Sequence, residues 1–251
     1  MIKARQPTKS RPRRLNPAQR ARIEEIFSRF RAREADPRTE LHYHNPYTLV
    51  TAVALSAQTT DVAVNKATER LFAVADNPAK MLELGEEGLI PYIASIGLYR
   101  SKARNVMAAA RILLERHGGE VPLDREALQS LPGVGRKTAS VVLNELGVEP
   151  AIAVDTHVFR VSHRLGLSQA KTPDQVELEL MQVVPETYLA RAHHWLILHG
   201  RYTCLARKPR CEICVVADLC PTAPLVGDPG GGGSAAGARR LSLKPPKKLP
   251  G

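Results

Sequence analysis

Five times along the chain a helix-capping residue precedes a helix-compatible run, at Asn16-Pro17, Asn45-Pro46, Asp61, Asn77-Pro78 and Asp124. Proline suits the first helical position because it lacks only an N–H that the helix would leave unpaired there. After the first of these starts, Ile23, Ile26, Phe27 and Phe30 recur at helical spacing and predict one buried stripe. Ala and Leu are spaced for a helix from Ser101 to His117, which Gly118-Gly119 ends. Residues 131 to 147 read as a short turn and another helix, and 155 to 165, 173 to 183 and 188 to 199 continue the pattern. Strand-like alternation is missing. One Trp and four Phe beside abundant Leu, Ala and Val also suit helices packed on helices. The expected fold class is all-α, and 251 residues at 43% hydrophobic content suffice for one large domain or two modest ones.

The formal net charge of +11 points to a polyanionic partner, but its placement matters more. Residues 1 to 22 hold eight basic residues and residues 235 to 251 hold five, with no acid in either stretch. Removing those thirteen from the 36 leaves 23 basic against 25 acidic residues, so a nucleic-acid face in the middle of the chain must be a local patch. The tails, 1–15 and the Gly/Pro/Lys-rich 222–251, are expected to be disordered and to make at most non-specific phosphate contacts. No apolar run approaches the roughly 20 residues of a membrane span, and no apolar signal core follows the N-terminal basic residues. The expectation is an intracellular protein without membrane contact.

The segment Leu131-Pro132-Gly133-Val134-Gly135-Arg136-Lys137-Thr138-Ala139 separates two helical runs. Gly133 and Gly135 flank an apolar residue, permit positive φ, and leave backbone N–H groups uncovered at the positive end of the next helix. Leu131 and Val134 pin the turn to the core, so those amides stay aimed at one point. A plain tight turn between helices satisfies the same pattern. The stretch resembles the helix-hairpin-helix motif of DNA-repair glycosylases, with the hydrophobic residue, both glycines and the Arg136-Lys137 pair in register, which implies DNA binding through Gly133, Val134, Gly135 and Arg136.

Lys137 falls in the first turn after the hairpin, where phosphate contact is one role and nucleophilic attack another. An ordinary lysine, with pKa about 10.4, is neutral about one time in a thousand at pH 7.4. A nucleophilic role therefore requires surroundings that disfavour the ammonium, such as a helix N-terminus, a neighbouring cation and desolvation by a bound nucleotide. Asp155, in Ala153-Val154-Asp155-Thr156-His157, stands where it can cap a helix and also face a cleft, stabilising positive charge on a sugar. Close to Lys137 it would favour the charged amine, so its carboxylate is expected nearer the sugar carbon than the lysine nitrogen. The His193-His194-Trp195 run reads as packing.

The four cysteines, Cys204, Cys211, Cys214 and Cys220, share a C-x6-C-x2-C-x5-C spacing within seventeen residues. Disulfides are unusual inside cells, so a metal centre, zinc or iron–sulfur, is the better reading. The hairpin with Lys137, the V-D-T-H segment with Asp155 and these cysteines together resemble the endonuclease III family over roughly residues 16 to 221. The resemblance implies a [4Fe–4S] cluster on the four cysteines; the loop from Ala206 to Arg210 carries Arg207, Lys208 and Arg210 and reads as a basic phosphate-binding loop that the cluster shapes. It implies a bifunctional glycosylase and AP lyase acting on double-stranded DNA that contains oxidised pyrimidines or abasic sites. In that family Lys137 matches the nucleophile that forms a Schiff base at C1′, and Asp155 the carboxylate. Gln58, in Leu55-Ser56-Ala57-Gln58-Thr59-Thr60-Asp61, matches the residue that fills the gap of the flipped base. Leu98, in Ile96-Gly97-Leu98-Tyr99, matches an apolar wedge.

The same resemblance implies a two-lobed helix-hairpin-helix glycosylase fold. A helical domain would span 39–149, and a cluster domain would combine 16–38 with 150–221. A monomer is expected, cytoplasmic and nucleoid-associated if bacterial. Two other readings are a monofunctional mismatch glycosylase of the same superfamily, which lacks the lysine, and a non-catalytic DNA-holding module, which needs neither Asp155 nor a pocket. Thr59 departs from the smaller residue common after the glutamine, and both tails are longer than usual.

Overall fold

The computed structural model describes residues 14–223. The two tails expected to be disordered lie almost wholly outside the described residues. Within them the regular structure is entirely helical. The elements are α1 (Pro17–Arg33), α2 (Pro46–Leu55), α3 (Asp61–Phe72), α4 (Pro78–Ile93), α5 (Tyr99–His117), α6 (Arg125–Gln129), α7 (Arg136–Glu145), α8 (Thr156–Arg164), α9 (Pro173–Val183) and α10 (Glu186–Tyr202), followed by two single turns of 3-10 helix. No helix among the described residues is long and apolar enough to cross a membrane.

The capping residues start these helices as their chemistry dictates. Asn16 Oδ1 accepts the Gln19 N–H at 2.8 Å, and the Gln19 side chain returns to the Asn16 N–H at 3.0 Å. Asn45, Asn77 and Asp124 cap α2, α4 and α6 in the same way, each accepting the N–H three residues on. The start expected at Asp61 is shifted by one residue: Thr60 is the cap, accepting from Ala63 N at 3.3 Å. Both residue types cap well, and Asp61 is instead claimed by Arg201 of α10.

Two hydrophobic cores divide the helices. One runs from Leu41 to Leu143 and joins α2 to α7; the other gathers Ile23, Ile26, Phe27 and Phe30 of α1 with residues from Ile152 to Val216. The chain crosses between them at residues 34–45 and again at 146–155. Helix α10 secures the first crossing, because Trp195 Nε1 donates to the Glu34 carbonyl at 2.8 Å and Arg191 pairs with Asp36 at 2.8 Å. Against its other side lies α8. A Cβ on Gly200 would sit 2.9 Å from His157 Cβ, so glycine is what lets α8 and α10 meet this closely. The N-terminus of α8 is thereby held against the C-terminal end of α10.

Candidate functional site

A cavity of about 810 Å³ opens between the elements of the two cores, and Gln58, Lys137, Asp155, His193, His194 and Arg201 are among the residues lining it. Lys137 sits in the first turn of α7, is exposed, and makes no ion pair or side-chain hydrogen bond among the described residues. It is also the one lysine among the described lining residues. Asp155 caps α8: its Oδ1 accepts from both His157 N and Val158 N at 2.8 Å. Both bonds fall on one oxygen, so the carboxylate is fixed in place while it still lines the cavity. Lys137 and Asp155 thus share one chamber without neutralising each other.

Behind Lys137 the wall is formed by residues read from the sequence as packing. Trp195 does pack, against Phe27 and Tyr188, but His193 and His194 face the cavity. Burial, with the charges of His194 and Lys137 adding to it, pushes His193 down to about 3, so the ring is neutral. His194 Nε2 lies 3.0 Å from Glu145 Oε2, close enough for an ion pair but poorly aligned for a hydrogen bond, with both side chains almost wholly buried. Burial pushes the Glu145 carboxyl up, but His194 and the Tyr43 hydroxyl, which donates to Oε1 at 3.0 Å, outweigh it and hold the group below its ordinary value. Glu145 ends α7, so the helix that starts with the nucleophile candidate is tied at its far end to α10. Arg201, paired with both Glu40 and Asp61, makes the polar wall opposite. These residues carry no local motif, and only the folding of distant segments against α10 brings them together.

Among the described residues three non-glycine residues have a left-handed backbone: Gln58 (φ 57°), Leu98 (φ 61°) and Lys208 (φ 52°). All three are positions the sequence assigned to DNA contact. A side chain with a Cβ is disfavoured in this conformation, by roughly 1–2 kcal/mol, so each is held there by its surroundings. Leu98 is 66% exposed, an unusual state for a leucine that caps a helix without any side-chain bond. Gln58 opens into the cavity, whereas Leu98, Arg207 and Lys208 lie outside it. In the hairpin, Gly133 takes φ 83° and a Cβ there would press on Asn105 at 3.1 Å. Val134 is buried in the first core, and Gly135 caps α7 without any side chain, leaving the first amides of that helix open. Arg136 is not a free cation: Glu177 of α9 accepts from its Nε at 3.1 Å.

The four cysteines form no disulfide and line a second cavity of about 180 Å³. Arg164, at the end of α8, braces both ends of their loop. Its guanidinium donates to Cys204 Sγ at 3.4 Å and to the Leu205 carbonyl at 2.6 Å, and its own carbonyl accepts from Cys220 Sγ at 3.3 Å. Burial pushes the Cys214 thiol up to about 11, and the nearby Cys204 and Cys220 add to it. A bound cation reverses that tendency and deprotonates such thiols outright. Among the described residues no three His, Cys, Asp or Glu side chains gather as a single ion requires. The four thiols line one cavity, as the ligands of an iron–sulfur cluster must. The protein is therefore expected to purify brown, with about four iron atoms per chain by metal analysis. A colourless native preparation holding stoichiometric zinc would remove the cluster.

The geometry has counterparts in known proteins. Residues 51–186 match the family model of the HhH-GPD superfamily of base excision DNA repair proteins, and residues 204–220 match the iron-sulfur binding domain of endonuclease III. The chain is 58% identical to endonuclease III of Escherichia coli strain K12 over 78% of its own length and 93% of that protein's. It is 56% identical to endonuclease III of Rickettsia conorii over 79% and 94%. Among solved structures, a trapped endonuclease III–DNA covalent intermediate superposes with a TM-score of 0.76 at 42% identity, covering 84% of this chain and 98% of that one. A thermostable thymine-DNA glycosylase superposes at 0.71 with 25% identity, covering 82% and 98%.

Proposed function

The chain belongs to the endonuclease III family of the HhH-GPD superfamily, and from that membership we propose which of its residues carry out the chemistry and on what substrate. The protein is a bifunctional base-excision DNA glycosylase and AP lyase, it binds DNA, and it carries an iron–sulfur cluster. The substrate class we assign is the oxidised pyrimidine in duplex DNA, together with the abasic site. One observation carries the assignment of roles: an unpaired lysine and a carboxylate locked by two backbone bonds line the same cavity.

The lone pair of Lys137 Nζ forms the bond to C1′ as the glycosidic bond breaks, and the departing base takes the electron pair of the broken bond and the proton that the amine loses. Asp155 stabilises the positive charge that develops on the sugar. Opening of the sugar ring gives the iminium ion, which acidifies C2′. Loss of the C2′ proton supplies the electrons that expel the 3′ phosphate, and the strand is cut on that side. Gln58 fills the gap left by the extruded nucleotide, its amide both donating to and accepting from the orphaned base. Leu98 is the apolar wedge between stacked bases. The amides around Gly133, Val134 and Gly135, with Arg136, Arg207 and Lys208, bind the phosphates. The cluster, held by Cys204, Cys211, Cys214 and Cys220, supplies no bond cleavage; it shapes the basic loop that presents Arg207 and Lys208. In this reading a 39–149 lobe and a 16–38 plus 150–221 lobe close on the DNA from two sides. The protein acts as a monomer, in the cytoplasm with the nucleoid.

Duplexes with one thymine glycol, one dihydrouracil or one 8-oxoguanine decide the substrate class. The two pyrimidine lesions are expected to be cut about tenfold faster or more than the oxidised purine, in line with the discrimination a shaped pocket supplies. Equal or preferred cutting at 8-oxoguanine would overturn the assignment.

A further inference from the structure

Lys102 is 8% exposed and is one of the few charged groups buried in the first core. No carboxylate among the described residues pairs with it. Its Nζ donates instead to the Leu55 carbonyl at 2.8 Å, the Ala57 carbonyl at 2.7 Å and Thr59 Oγ1 at 3.0 Å. An ammonium has three donors, and all three end on a single five-residue turn whose remaining members are Ser56 and Gln58. Leu55 is the last residue of α2, so the cation also rests on the negative end of that helix. Burial lowers the pKa of Lys102 from its ordinary value, which marks the environment as one that a lysine occupies for its hydrogen bonds.

The other end of the residue matters equally. The Lys102 N–H donates to the Leu98 carbonyl at 3.0 Å in the opening turn of α5. The turn that Lys102 grips with its side chain holds Gln58 in a left-handed conformation. The residue that it bonds through its backbone, Leu98, is in the same conformation and exposed. Gln58 and Leu98 are distant in sequence, on separate loops, and Lys102 is bonded to both loops.

We propose that Lys102 is a positioning residue that locks the Gln58 turn onto the first turn of α5, so that Gln58 and Leu98 enter the duplex as one fixed unit. This rests on the roles assigned above to those two side chains. Free rotation of either loop would let the strained residues relax, and the wedge and plug would then have to be reordered each time DNA binds. That ordering falls on binding, so its loss raises KM and spares the chemical step. Thr59 is part of the device, because its hydroxyl accepts the third donor of the ammonium.

Steady-state cleavage of a lesion duplex by full-length, cluster-loaded variants tests this. Lys102→Met is expected to raise KM about tenfold with kcat changed less than about twofold. Thr59→Ala should raise KM about threefold and Thr59→Ser should restore it, which a general loss of packing would not reproduce. In a Gln58→Ala/Leu98→Ala background, Lys102→Met should add less than about a further twofold. If it raises KM there as much as in the wild-type background, Lys102 does not act through these two side chains and the proposal falls. If the Gln58→Ala/Leu98→Ala protein itself keeps the wild-type KM, the plug and wedge assignment falls first and takes the proposal with it. A loss confined to kcat, or a Thr59→Ser variant as impaired as Thr59→Ala, also overturns it.

Discussion

Lys137→Gln is expected to leave no borohydride-stable adduct with abasic duplex DNA and to lower strand cutting on the order of a thousandfold or more. The substitution is chosen to isolate the amine. Glutamine has similar helix propensity and length, and the native side chain is exposed and holds no ion pair or hydrogen bond among the described residues. Stability should accordingly stay within about 0.5 kcal/mol of wild type, readable as an unchanged Tm. No described lysine other than Lys137 lines the cavity to take over the attack. The amides of the hairpin and the open start of α7 remain, so duplex affinity should change little. An adduct that survives the substitution would locate the nucleophile elsewhere, and unaltered cutting would remove covalent chemistry at this residue altogether.

What could be read in the sequence is what local chemistry determines. Asn16 and Gln19 satisfy each other three residues apart, so α1 announces its own start. The hairpin glycines, Asp155 as a cap and the cysteine spacing are equally local, and the structure places each where its neighbours imply. Asp61 shows the limit: Thr60 and Asp61 are both competent caps, and the choice is made by Arg201, which arrives from α10. The same helix hid the cavity wall. His193 and His194 look like part of an amphipathic stripe until the 34–45 crossing, α7 and α10 are packed together, when Glu145, which accepts from the Tyr43 hydroxyl, meets His194. Lys102 was silent for a related reason. In an amphipathic helix a lysine reads as surface, and its burial depends on three acceptors that belong to another loop. Long-range pairings of this kind leave no periodic trace.

Asp155→Asn is expected to slow turnover about a hundredfold to a thousandfold while duplex binding stays near wild type. The exchange separates the two duties of this residue. Asparagine caps helices about as well as aspartate, and its side-chain oxygen still accepts from the His157 and Val158 amides, so α8 keeps its start and the chamber its shape. What is lost is the negative charge facing the sugar, which matters only while positive charge builds up there. The companion variant Asp155→Ala removes the cap as well and should lower stability by about 1 kcal/mol in addition, with a visible fall in Tm that Asp155→Asn lacks. Single-turnover rates on a lesion duplex, with affinity measured separately on uncleavable abasic-analogue DNA, resolve the two effects. Were Asp155→Asn to lose binding and rate in equal measure, or to match the wild-type rate while Asp155→Ala alone failed, the carboxylate would be a structural cap and the charge on the sugar would need another partner.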